Sequence, residues 1–202
     1  MKYPELVDRL VARGVLRTPT IARAFREVRR EYFLPDDVVE WAGADQPLPI
    51  GHGQTNSQPY TVAFMFELLQ PEAGQEILDV GCGSGWTTAL LAGIVGAGGS
   101  VIGTERIEEL VQFARVRIDN LEVENASIIH TPVALGCPKK APFDRILVSA
   151  ASPEVPSELV DQLANDGIMV IPVRHSICKV RKTAQGIHCE EHSGFSFVPL
   201  IY

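Results

Sequence analysis

Cysteine is sparse and carries no pairing pattern. The 202-residue chain has four, Cys82, Cys137, Cys178 and Cys189, with no C-x-x-C spacing, which excludes a disulfide framework and the usual zinc motifs. Basic charge is in deficit. Lys and Arg number 18 against 25 Asp and Glu, a net charge of −7, so no non-specific grip on nucleic acid or an anionic membrane is expected. No apolar run approaches the roughly 18 residues of a membrane span, and the charged N-terminal stretch has no signal-peptide core. Repeats and low-complexity segments are absent. These absences predict a cytoplasmic protein without nucleic-acid, membrane or metal partners. What remains is an ordinary globular composition, 46% hydrophobic and 21% charged, which at this length supports a core without staples.

Two regimes follow one another along the chain. In the first third, Leu6, Val7, Leu10 and Val11 recur at helical spacing, and Thr18-Pro19 is a helix-start signal. Ile21, Ala24, Phe25 and Val28 line one side of a helix drawn over residues 21–33. Arg23, Arg26, Arg29, Arg30 and Glu31 occupy its other side, which is expected to be solvated. Residues 35–50 read as loop. A polar stretch, 51–59, then leads into an apolar helix over 60–69, with Pro59 in its first turn and Ser57 or Gln58 flanking its cap.

From Gln75 onward strands and helices alternate. Strands are expected at 76–80, 100–104, 126–129, 144–149 and 167–173, and helices at 86–95, 107–121 and 157–163. Residues 177–181 and 195–201 alternate like an antiparallel pair. The fold class is therefore α/β: a mostly parallel, doubly wound sheet with an antiparallel C-terminal edge. A helical N-terminal segment with a functional loop spans 1–58, and the α/β core spans 59–202.

The sharpest local signal is Asp79-Val80-Gly81-Cys82-Gly83-Ser84-Gly85-Trp86, between a strand and a helix. Glycines there allow close backbone approach to a ligand, which would sit beyond the strand's carboxyl end. A dinucleotide fingerprint would need glycine at position 86, which is Trp, and a phosphate loop would need a lysine that is missing. The G-x-G-x-G form after an acidic residue suits S-adenosyl-L-methionine instead, a cofactor with no phosphate to cradle. Glu105, at the end of the next strand, can accept both ribose hydroxyls. Cofactor contacts are expected at Asp79, Gly81, Cys82, Gly83, Ser84, Gly85, Glu105 and Arg106.

Five further stretches carry a resemblance. Residues 49–59 (PIGHGQTNSQP), 141–146 (APFDRI), 149–156 (SAASPEVP), 163–172 (LANDGIMVIP) and 197–200 (FVPL) resemble, in order and spacing, the motifs of protein-L-isoaspartate O-methyltransferases. The resemblance covers nearly the whole chain. It implies a Rossmann-like class I methyltransferase fold. It implies methyl transfer from S-adenosyl-L-methionine, leaving S-adenosyl-L-homocysteine, to the free carboxylate of L-isoaspartyl residues in damaged proteins or peptides. By position it implies Ser57 as the active-site serine, with His52, Gln54, Thr55 and Asn56 beside the substrate. Isoaspartyl proteins or peptides are the implied partners, and a monomer is the expected working form.

That chemistry needs few parts. A carboxylate is already nucleophilic at neutral pH. The protein has to align oxygen, methyl and sulfur and exclude water. A serine hydroxyl can hold the carboxylate with one hydrogen bond, and the competing role for Ser57 is a helix cap.

Two positions depart from the family pattern. Thr131-Pro132-Val133 stands where G-D-G is usual beside the adenine, which places Pro132 and Val133 against the cofactor without an acidic acceptor. Asn56 stands where isoleucine is usual. Two alternatives therefore stay open: a binding module on a methyltransferase fold, and a carboxyl methyltransferase for another aspartyl peptide. His188, Cys189 and His192 with Glu190 and Glu191 match no ligand spacing of a metal site, and Glu154, Asp161 and Asp166 read as a solvated face.

Overall fold

The computed structural model describes every residue, 1–202. Its main sheet has seven strands. They are β3 (Glu76–Val80), β4 (Ser100–Glu105), β5 (Ala126–His130), β6 (Phe143–Val148), β7 (Leu163–Val173), β8 (Ser176–Thr183) and β9 (Gly186–Ser193), in the spatial order β5-β4-β3-β6-β7-β8-β9. Pairing is parallel from β5 through to β7 and antiparallel for β8 and β9. A separate hairpin joins β1 (Leu48–Gly51) to β2 (Gln54–Asn56). The chain leaves β3 toward β4 on one side and returns to β6 on the other. That reversal opens a crevice at the carboxyl ends of the central strands.

The core explains the composition of the elements. β3 is buried along Ile77, Leu78, Asp79 and Val80, as a strand covered on both faces must be. α4 (Trp86–Val95) is buried on nearly every side. It lies between the sheet and the N-terminal helices α1 (Tyr3–Ala12) and α2 (Pro19–Glu27), and all of them contribute to one apolar cluster with α3 (Pro59–Leu69). Phe25 and Tyr3 meet the Trp86 ring edge-on at 5.7 and 6.2 Å. α5 (Glu108–Asn120) and α6 (Ser157–Gln162) cover the remaining strands. The start of α2 is tied to α3 through Glu67. Its carboxylate accepts the backbone N–H groups of Arg17 and Thr18 at 2.8 and 2.9 Å and the Thr18 hydroxyl at 2.9 Å. No helix is long and apolar enough to cross a membrane.

Five expectations are corrected. The helix drawn over 21–33 stops at Glu27, and a separate 3-10 turn runs Arg30–Phe33. Arg30, placed on the solvated face, is fully buried. The loop read at 35–50 contains a 3-10 turn, Val39–Trp41, and the strand β1. The antiparallel partner of β8 is 186–193, not 195–201, because the chain turns back directly at Thr183 and Gly186. β9 lies at the sheet edge and is exposed along nearly its whole length, so its charged residues give no alternation to read. Edge strands carry such charge as protection against further pairing. Finally, β7 begins at Leu163, four residues before the expected start.

Candidate active site

One cleft at the carboxyl ends of the strands gathers most of the anticipated residues. It spans about 800 Å³ of non-atom space, open solvent at its mouth included. Its floor is the turn after β3. The N–H groups of Gly81 and Cys82 both donate to the Thr104 carbonyl, at 2.8 and 3.1 Å, which pins the turn to β4. Gly85 starts α4 at a φ of 89°, and a Cβ there would lie 3.2 Å from the Ala114 Cβ. Glycine therefore lets α4 and α5 approach each other. At Gly83 a Cβ would lie 3.1 Å from Ile50 Cδ1, so β1 rests against the turn.

Glu105 ends β4 and is 7% exposed. Its Oε2 accepts the Gly83 N–H at 3.1 Å, and its Oε1 accepts those of Arg106 and Ile107 at 2.8 and 3.0 Å. Backbone donors thus fix both oxygens, and Oε2, which takes only one of them, keeps a lone pair that can accept a ribose hydroxyl.

The β1–β2 hairpin forms another part of the lining, and a buried cation holds it. The Arg30 guanidinium donates to Asn56 Oδ1 at 2.8 Å. It also reaches the carbonyls of Ala42, Ala44, Gln46, Asn56 and Ser57 at 2.9 to 3.3 Å. Burial pulls its pKa down to about 10, so it stays charged at neutral pH, and it lies over the Trp86 ring at 5.5 Å. Asn56 completes the connection by donating from Nδ2 to Ser84 Oγ at 3.1 Å.

Ser57 lines the cleft. It is spared from capping α3, because Asp45 Oδ1, from the segment that Arg30 holds, accepts the Tyr60 N–H at 2.9 Å.

The structure places the anticipated residues unequally. Gln54, Thr55, Asn56, Ser57, Gly81, Cys82, Gly83, Ser84, Glu105 and Arg106 line the cleft. Asp79 does not. Its carboxylate is fully buried and accepts the hydroxyls of Thr87 and Thr88 at 2.6 and 2.7 Å, so it shapes the turn from behind. Gly85 also lies behind the lining, against Ala114. Pro132 and Val133 turn outward, with Val133 84% exposed, while Thr131, Ala134 and Leu135 face the cleft. His52 sits at the exposed hairpin tip with a φ of 54° and outside the cleft. Asn56, expected to face substrate, is 4% exposed and spends its amide on Arg30 and Ser84.

Sequence reasoning missed Arg30, whose partners lie 12 to 27 positions away. It also missed the C-terminal tail. Val198, Pro199, Leu200, Ile201 and Tyr202 line the cleft, held as Ala151 N–H donates to Val198 O and Leu200 N–H to Ala151 O, both at 2.8 Å. The FVPL resemblance marked that segment, but no spacing signal located it.

Cys82 is unsuited to nucleophilic work. Burial, with the charges of Asp79 and Glu105 adding to it, pushes its thiol pKa up. Away from the cleft, donor atoms of Cys178, Cys189 and Glu191 lie within 4.8 Å of one another across β8 and β9. They offer three ligands where structural zinc takes four, and burial pushes the Cys178 thiol up to about 12.

Comparison with known proteins places this geometry. A family model described as protein-L-isoaspartate(D-aspartate) O-methyltransferase (PCMT) matches residues 1–202. A Methanopyrus kandleri protein named protein-L-isoaspartate O-methyltransferase is 44% identical over 97% of this chain and 89% of its own. A Pyrococcus horikoshii protein of the same name is 40% identical over 99% and 93%. A solved Plasmodium falciparum structure, assigned to the same enzymes and in complex with S-adenosyl-L-homocysteine, aligns with a TM-score of 0.88 at 26% identity. That alignment covers 100% of this chain and 99% of the other.

Proposed function

The chain belongs to the protein-L-isoaspartate(D-aspartate) O-methyltransferase family, and on that premise we propose that it methylates the free carboxylate of L-isoaspartyl residues in proteins or peptides, using S-adenosyl-L-methionine. One observation carries the reading: Ser57, the glycine turn and Glu105 line a single cleft. The lining fits the cofactor. A glycine turn without lysine suits a ligand that carries no phosphate, and the fixed Glu105 carboxylate, with a lone pair left on Oε2, suits a ribose hydroxyl.

When bound, this cofactor supplies an electrophilic methyl on a positively charged sulfur, and the bond to that methyl breaks with its electron pair remaining on sulfur as the carboxylate oxygen forms the new ester. The residues of the chain position the partners. Glu105 accepts from the ribose, and the turn at Gly81–Gly83 brings backbone close to the ligand. Ser57 donates its hydroxyl to the isoaspartyl carboxylate and holds one oxygen in line. No side chain is needed as a base, because the nucleophile is ionised at neutral pH. The tail at Val198–Tyr202 and the hairpin restrict water around the charges that merge in the transition state.

Four free cysteines support a reducing, cytoplasmic setting. The test is transfer of labelled methyl from S-adenosyl-L-methionine to an isoaspartyl peptide, with the matched aspartyl peptide as control. Label on the isoaspartyl peptide alone is expected. Label on the aspartyl peptide would redirect the reading to another carboxyl substrate. Label on neither, with no cofactor binding, would leave a non-catalytic module.

A further inference from the structure

The substrate hairpin and the cofactor turn touch through one polar bridge. Arg30 fixes Asn56 by its Oδ1 and by its carbonyl, at 2.8 and 3.1 Å, and also holds the Ser57 carbonyl at 3.0 Å. The other end of the same Asn56 amide donates to Ser84 Oγ at 3.1 Å. Ser84 belongs to the glycine turn and is 2% exposed. Ile50 also lies against Gly83, but apolar contacts set no angular register. An amide fixed at both ends does.

We infer that Asn56 and Arg30 are positioning residues that lock the Ser57 loop to the cofactor turn, so that filling the cofactor site orders the substrate site. The inference rests on the proposed cofactor. A ligand that immobilises the turn immobilises the Ser84 hydroxyl, and through Asn56 it steadies the segment carrying Ser57. Linkage makes the effect mutual: a peptide held at Ser57 strengthens cofactor binding by the same factor. The residue type suits this task. The isoleucine usual at this position in the family would fill the space but would leave both Arg30 Nε and Ser84 Oγ without this partner.

Hydrogen exchange on the full chain, with and without S-adenosyl-L-homocysteine, tests the bridge. In the natural protein the ligand is expected to slow exchange at the turn, Gly81–Gly85, and also at the hairpin amides of Gln54–Asn56. In Asn56→Ile and in Ser84→Ala, protection of the hairpin should fall by about three- to tenfold, the scale of one neutral hydrogen bond, while protection of the turn persists. Ser84→Thr keeps the hydroxyl and should restore the hairpin effect, which a loss of general stability would not do. With isoaspartyl peptide, both broken-bridge variants should show weakened mutual enhancement of peptide and ligand binding.

Ser84→Ala leaves every Arg30 bond intact, so it stands as the test even where Asn56→Ile folds poorly. Turn protection with equal hairpin protection in all variants overturns the bridge alone. No protection of either segment in the natural protein overturns the cofactor reading beneath it.

Discussion

The two walls of the cleft are built in opposite ways. The cofactor wall is local: the turn from Asp79 to Trp86 and the acid Glu105 lie on two adjacent parallel strands, and backbone bonds hold them. The proposed substrate wall is assembled. Its hairpin, Leu48–Asn56, is short and pairs with no other strand. A buried Arg30 holds it in place, Asp45 caps the helix that follows it, and a tail from the far end of the chain lines the same cleft. A local wall tolerates the loss of one side chain because its backbone path persists. An assembled wall depends on its clamp.

Removing the clamp therefore has the largest expected effect. Arg30→Ala leaves five carbonyls and one amide oxygen without their donor. The loss of unfolding free energy should be about 3 kcal/mol or more, measured by denaturant titration. In whatever fraction remains folded, kcat/KM for an isoaspartyl peptide should fall by about a hundredfold or more, because Ser57 is no longer placed. Arg30→Lys should recover only part of this, since an ammonium cannot reproduce the planar fork. Stability and turnover that survive Arg30→Ala would mean that the hairpin holds itself.

The same contrast decides what could be read from the sequence. β3, α4 and the glycine turn were legible because their pattern is contiguous: a short apolar strand, three alternating glycines, then a helix whose observed limits, Trp86–Val95, are the expected ones. Arg30 was not. An arginine in a run with Arg23, Arg26 and Arg29 reads as a solvated face, and only a chain folded back at residues 42–46 and 56–57 supplies the carbonyls that make burial tolerable. β9 was missed for the converse reason, since an edge strand exposed on both faces has no apolar period. Pro132 and Val133 were placed by gapless spacing. The backbone turns them outward instead and presents Thr131, Ala134 and Leu135.

The weak point of the local wall is a buried acid, and pH should expose it. Burial is the main cause that raises the Asp79 pKa to about 6, with the Glu105 charge adding to it and the Thr87 and Thr88 bonds opposing. In the unfolded chain an aspartate titrates near 3.9. The folded state thus binds the proton more tightly. The stability this contributes is present in full below about pH 4 and is lost as pH rises through about 6. Asp79→Asn removes the titration. The natural protein should lose on the order of 2–3 kcal/mol relative to this variant between those pH values. Parallel stability curves for the two proteins would show that Asp79 titrates normally.

A single change on the cofactor wall should separate binding from chemistry. Glu105→Ala removes the acceptor of Gly83, Arg106 and Ile107 and of the proposed ribose contact. Affinity for S-adenosyl-L-homocysteine by calorimetry should drop about thirtyfold, as expected for a hydrogen bond to a charged group. Unchanged affinity would remove the ribose assignment.

The smallest effect is expected at Ser57, the side chain proposed to hold the substrate carboxylate. Ser57→Ala takes away one hydroxyl that bonds no helix cap, since Asp45 holds that position, so stability should hardly move. Affinity for S-adenosyl-L-homocysteine should also stay the same, because the turn and Glu105 are untouched. Turnover of the isoaspartyl peptide should fall about tenfold, the scale of one hydrogen bond to a carboxylate, in kcat/KM with a stable fold. A modest loss here beside a large one at Arg30 would show that the assembled wall acts by placing backbone and shape, with the serine hydroxyl as one contact among several. A loss as large as that at Arg30 would put most of the alignment into that one hydroxyl. No loss would remove Ser57 from the reaction altogether.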